Sequence, residues 1–180
     1  MPEGRDPSKK RKGPVKLDEP KLLDYAVRTL AVRAYSAGEM RTRLRRKGES
    51  AAAVDAVMAK LKEYGILNDQ RFAEGYAAAR AEGRGLGRQR VIRDLRARQV
   101  SASVAEKAAE EAYAGKDETA MARVFLERKF RGKELASWLK EPKNLAAAFR
   151  RLRYAGFSSS ASVRVLKGYS DLAEELEDGG

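Results

Sequence analysis

Arginine and lysine gather in short segments of this chain. Arg41, Arg43, Arg45, Arg46 and Lys47 lie between residues 41 and 47. Arg88, Arg90, Arg93 and Arg96 follow, with Arg80, Arg84 and Arg98 around them and Glu82 and Asp94 opposing. Arg150, Arg151 and Arg153 form another group, and Arg128, Lys129, Arg131 and Lys133 one more. A planar guanidinium makes paired hydrogen bonds to a carboxylate or a phosphate. For any one Arg, a solvated helix face is the ordinary role. The recurrence of the groups, and a net charge of +12 from 38 basic and 26 acidic residues, point instead to a binding edge. That charge attracts polyanions and acidic protein surfaces alike. The candidate binding residues are Arg41, Arg43, Arg45, Arg46, Lys47, Arg88, Arg90, Arg93, Arg96, Arg150, Arg151 and Arg153.

Other chemistries find little material. The chain has no Cys, hence no disulfide or thiol chemistry, and no His, the commonest general base and metal ligand. No clustered carboxylates suggest a metal site, so neither a cofactor, a metal nor a catalytic set is expected. Asp69 reads as a helix cap or first-turn carboxylate rather than a catalytic acid. Arg84-Gly85-Leu86-Gly87-Arg88 lacks the full glycine pattern of a phosphate loop, and no strand precedes it. It reads as a basic turn. Trp138, the lone Trp, reads as core beside Leu135 and Leu139, with base stacking as the less favoured role. No apolar run reaches the ~20 residues of a membrane helix. The N-terminal segment lacks the apolar stretch of a secretory signal. A cytoplasmic monomer is expected.

The elements that must position the arginines are helical. Charged residues make up 36% of the chain and aromatics only 7%, a balance that suits helices with wide solvated faces. Leu23, Val27, Leu30 and Ala34 follow a helical period, as do Val54, Val57, Met58 and Leu61, and Met121, Val124 and Phe125. Ser36 with Glu39 forms a capping box. Gly48, Gly65 and Gly156 each stand where a helix ends. No strand is expected. Leu44, Leu95 and Leu152 each sit among basic residues; Gly48, Gln99 or Gly156 follows four positions later, then Ser50, Ser101 or Ser158, then an Ala/Val helix. The expected fold is therefore all-α: three tandem three-helix repeats stacked into an elongated, curved array. The segments are a disordered basic tail (1–19) that includes the run Lys9–Lys12, repeats at 20–66, 67–115 and 116–169, and an acidic tail (170–180). YGILNDQRFA, residues 64–73, joins the first two repeats, with Gly65 ending one helix and Asn68 or Asp69 capping the next.

This order of segments resembles the RecX family of bacterial regulatory proteins. The likeness is carried by AVRAYSAGEMRTRL with Arg45-Arg46-Lys47-Gly48, by Leu61 to Ala73, by Arg80 with GRQRVIRDL from Gly87, and by Phe149 to Ser158. It covers residues 22 to 169. The sequence departs from the family at Asn68-Asp69, where two Asp are frequent, and at Gln99-Val100, where a Lys-Gly-Ile turn is common. The resemblance implies a helical protein without enzymatic activity. Its expected partner is the RecA–DNA filament, along whose groove it would lie, modulating ATPase and strand exchange, usually by inhibition. DNA would be a weaker, secondary partner. The alternative is a basic helix-turn-helix protein acting alone on duplex DNA. Residues 36–48 and 50–64 could form such a pair, but the second helix begins Ser-Ala-Ala-Ala-Val, without the Arg, Asn or Gln that read base edges.

Overall fold

The structure, a computed structural model, describes residues 16–176. Among them are the helices α1 (Glu19–Val32), α2 (Ala37–Lys47), α3 (Ala51–Glu63), α4 (Asp69–Ala79), α5 (Arg88–Ala97), α6 (Ala102–Tyr113), α7 (Glu118–Lys129), α8 (Leu135–Trp138), α9 (Pro142–Ala155) and α10 (Ser159–Lys167). A π-helical turn, Arg80–Arg84, continues α4, and a 3-10 helix spans Asp171–Leu176. Extended pairing among the described residues is confined to a bridge between Leu17 and Gly48. The chain is all-α, as its periodicity indicates. No described helix is long and apolar enough to cross a membrane.

The helix starts follow from their caps. Asp18 accepts from the Lys21 N–H ahead of α1, and Pro20 occupies its first turn. Ser36 and Glu39 form the reciprocal capping box of α2. Ser50, Asp117 and Ser158 cap α3, α7 and α10. The ends use the left-handed backbone: Gly65 has φ 65° and Gly156 φ 95°. Gln99 takes the same role at φ 63°, a conformation that costs a non-glycine residue about 1–2 kcal/mol. Gly48 differs. Its φ is −69°, so conformation does not require glycine there. Space does: a Cβ would stand 3.0 Å from both Leu22 and Val54.

The chain divides into two compact units, one ending at Asn68 and the other starting at Asp69, within the YGILNDQRFA joint. In the first unit α1–α3 enclose Leu22, Ala26, Met40, Leu44, Val57, Met58 and Leu61. The N–H of Leu67 closes this unit on the Leu61 carbonyl. In the second unit α4–α6 enclose Ala73, Ala77, Val91, Leu95 and Ala105, while α7–α10 enclose Ala122, Leu126, Leu145, Leu152, Phe157 and Leu166. Leu86 packs against both of these clusters. The backbones of α5 and α9 interlock beside it. Gly87 N–H donates to the Ala155 carbonyl at 2.9 Å and Gln89 N–H to the Gly156 carbonyl at 3.2 Å. The start of one helix thus takes up the free carbonyls at the end of another. A Cβ on Gly87 would come within 2.2 Å of the Gly156 carbonyl carbon, so both glycines are needed for this approach.

Several expectations are corrected. The N-terminal tail does not run to residue 19. Leu17 bonds the backbone of Lys47 and Glu49 and packs on the first core, and Glu19 already belongs to α1. Lys9–Lys12 lie outside the described residues. The acidic C-terminal segment is not all tail either: Asp171 lies in the 3-10 helix, and Ala173 is buried in the second unit. Glu177 and Asp178 lie outside the described residues. In α1 the core-facing positions are Leu22 and Ala26, one residue out of step with Leu23 and Val27, and Val27 is 41% exposed. In α7 they are Ala122 and Leu126, and Val124 is half exposed. In both helices an Ala fills a close-packed position that an apolar count gives to a larger neighbour. The stripe of Val54, Val57, Met58 and Leu61 is buried throughout.

Candidate functional site

The second helix of each repeat presents its basic side chains by amphipathicity. Along α2, Met40 and Leu44 turn inward and the intervening cations turn outward. Arg41 pairs with Asp55 of α3. Arg43 donates to the Tyr25 hydroxyl at 3.0 Å and lies over the Tyr35 ring. Arg45, Arg46 and Lys47 are exposed, and their side chains have no hydrogen bond or ion pair among the described residues. Three cations in the last turn of a helix are also favoured by its dipole. Arg45 borders an open recess of about 460 Å³, with Lys16, Glu49 and Ser50, at the start of α3.

In the second unit Val91 and Leu95 hold α5 to the core, leaving Arg88 and Arg96 exposed, also without side-chain partners among the described residues. Arg90 is ion-paired with Asp94 at 2.8 Å, and that contact, followed by its bond to Tyr154, holds its pKa above the ordinary arginine value. Arg93 donates to the Tyr154 carbonyl at 3.0 Å. On α9, Leu145, Ala148 and Leu152 face inward, while Arg150 and Arg151 are exposed. Arg153 donates to the Phe157 carbonyl at 2.7 Å. The α5–α9 interlock therefore brings Arg90 and Arg93 to Tyr154, which Arg151 approaches from the same helix. Arg90 lies 4.7 Å and Arg151 5.9 Å from its ring centroid.

The twelve candidates thus fall into two kinds. The side chains of Arg45, Arg46, Lys47, Arg88, Arg96 and Arg150 have no partner among the described residues. Arg41, Arg90, Arg93 and Arg153 are tied to this chain's own groups, Arg43 is tied to Tyr25, and Arg151 leans on Tyr154. Residue counting missed the tyrosines. Tyr35 meets Arg33 and Arg43, Tyr76 meets Arg80 and Arg98, and Tyr154 meets Arg90 and Arg151. A signal for Tyr154 was present: it follows Arg151 by three residues, which places both on one helix face. Trp138 packs at 4.7 Å from Phe130 and against the second unit's core, in agreement with the core reading.

Comparison with known proteins gives this arrangement its context. Residues 23–61 match the RecX first three-helix domain, and residues 68–108 match the second. A regulatory protein RecX of Vibrio vulnificus is 34% identical over 136 residues, covering 75% of this chain and 84% of that one. The chain belongs to the RecX family. The regulatory protein RecX of Streptomyces coelicolor is 31% identical over 135 residues, with 75% and 69% covered. That of Halorhodospira halophila is 37% identical over 109 residues, which span 61% of this chain and 66% of the relative. The crystal structure of RecX from Lactobacillus salivarius shares the fold at a TM-score of 0.70 and 19% identity, covering 86% of this chain and 97% of that one. These RecX relatives are named as regulators, and a regulatory role is the one the family supports for this chain.

Proposed function

We propose that this RecX-family chain binds the RecA–DNA filament, most simply along its helical groove, and modulates its ATPase and strand exchange, chiefly by inhibition, in recombination and DNA repair. The observation that carries the reading is the recurrence, on α2, α5 and α9, of exposed arginines whose side chains have no partner among the described residues. A filament repeats its acidic groups and phosphates, and a chain that repeats its cations meets it at more than one point. Simultaneous contacts then multiply rather than add in affinity. The chain acts in the cytoplasm, as a monomer, without catalysis or cofactor, and free DNA is a weaker partner. A helix-turn-helix reading finds less support. The first turn of α3 offers Ala51, Ala52, Ala53 and Val54, none of which can read a base edge.

Co-sedimentation with preformed recombinase filaments, compared with the same DNA without recombinase, tests the proposal. The expected result is retention on the filament at protein concentrations that leave naked DNA largely unbound. Equal retention on both would overturn it in favour of simple DNA binding.

A further inference from the structure

Most aromatic rings near arginine in this chain are committed to its own packing. Tyr35 is only 8% exposed. Tyr76 is half-buried, and its hydroxyl donates to Asp94 at 3.2 Å. Trp138 is packed on Phe130. Tyr154 also bonds Arg90, but it differs in exposure. Its side chain stands on the last turn of α9, and the residue is 61% exposed. Its backbone is fixed from several directions: Arg93 holds its carbonyl, and the bonds from Gly87 to Ala155 and from Gln89 to Gly156 pin the residues that follow it. The ring has little core to stabilise, yet its position is tightly determined. Arg90 approaches the centroid at 4.7 Å and is itself braced by Asp94. Arg151 reaches only 5.9 Å, near the limit of a cation–π contact. Both guanidinium groups lie over the ring, yet the residue keeps 61% of its surface exposed. Arg150 stands exposed on the same helix, its side chain without a partner among the described residues.

An exposed aromatic side chain, held by a fixed backbone and flanked by guanidinium groups, fits one ligand chemistry closely. A base of a single strand is a flat π-surface joined to a phosphate, and the two would meet the ring and the cations together. Duplex DNA offers the phosphates but keeps its bases stacked inside. An acidic protein offers carboxylates for the arginines but gives the ring nothing specific. We infer that Tyr154 is a stacking platform for an unpaired base of single-stranded nucleic acid, with Arg150 and Arg151 meeting the adjoining phosphates. The inference goes beyond filament binding, which needs no such platform, and assigns the secondary DNA contact a place and a preference for single strands.

The test uses the full chain without recombinase, so its outcome is independent of filament binding. Fluorescence anisotropy would measure binding to a labelled thymidine homopolymer, to a duplex of the same length and to an abasic strand of that length. Tyr154→Ala should weaken homopolymer binding roughly tenfold, the typical effect of losing one stacked base, and leave duplex binding within about twofold. Tyr154→Phe should retain wild-type binding. Wild-type protein should bind the abasic strand roughly tenfold more weakly than the homopolymer, a comparison that survives even if the alanine variant folds poorly. An equal loss on homopolymer and duplex would show that Tyr154 merely positions the arginines, and would overturn the inference. So would unchanged homopolymer binding by Tyr154→Ala, or equal wild-type affinity for abasic and base-bearing strands.

Discussion

Leu44, Leu95 and Leu152 are each 0% exposed and occupy the matched place in their repeats. Removing a buried leucine side chain loses its transfer free energy and leaves a cavity. Each Leu→Ala variant should therefore lose about 2–5 kcal/mol in denaturant unfolding, whereas Val124→Ala, at a half-exposed site, should fall well below that range. A surface-like cost at any one leucine would break the equivalence of the three positions. Tyr113 supplies a pH-dependent case. Burial pushes its phenol up from 10.0 to about 12, and its hydroxyl donates to the Leu86 carbonyl at 2.5 Å. The folded state then keeps a proton that the unfolded state releases. Stability is unaffected below the unfolded value and declines as pH rises from 10.0 to about 12. Urea midpoints taken across this window should fall more steeply in the wild type than in Tyr113→Phe. Equal slopes would remove Tyr113 as the cause.

At the scale of elements, the sequence revealed a good deal, for identifiable reasons. The capping box at Ser36 and Glu39 and the α3 stripe were legible because caps and periodicity are local. Leu23, Leu30, Met121 and Phe125 do pack against the cores, but Val27 and Val124 do not face inward, because α1 and α7 bury Ala26 and Ala122 where helices pack closely and composition alone cannot tell a packing alanine from a surface one. The meeting of Gly87 with Gly156 was illegible, since it joins residues far apart in the chain. It makes a sharp prediction. Gly87→Ala should destabilise the second unit by ~1–3 kcal/mol or more, because the new methyl group would force α5 away from α9. Gly75→Ala is the control. It lies in α4 with nothing within 4 Å of its added Cβ, and should stabilise by about 0.5–1 kcal/mol through helix propensity. Denaturant unfolding of the two variants should move in opposite directions. A neutral Gly87→Ala would mean that the interlock yields easily.

At the scale of the whole molecule, the candidate surface was only partly legible. Counting arginines found the groups on α2, α5 and α9 but could not separate the free from the engaged, because Arg90 and Arg153 bond to atoms that the fold brings to them. Reversing those two charges would disturb the fold as well as binding. Arg46, Arg96 and Arg150 are the better probes: one lies in each repeat, all are exposed, and none of their side chains has a partner among the described residues. The central claim is that these repeated free cations hold the chain to a recombinase filament. The most direct measurement is the affinity of the triple variant Arg46→Glu, Arg96→Glu, Arg150→Glu for preformed filaments and for free DNA, at two salt concentrations, with circular dichroism confirming the fold. Every phosphate that the variant leaves unneutralised should reduce the salt slope on duplex by about 0.9. The account predicts at least a tenfold loss on the filament and a smaller loss on free DNA. Wild-type filament affinity in a folded triple variant would contradict it.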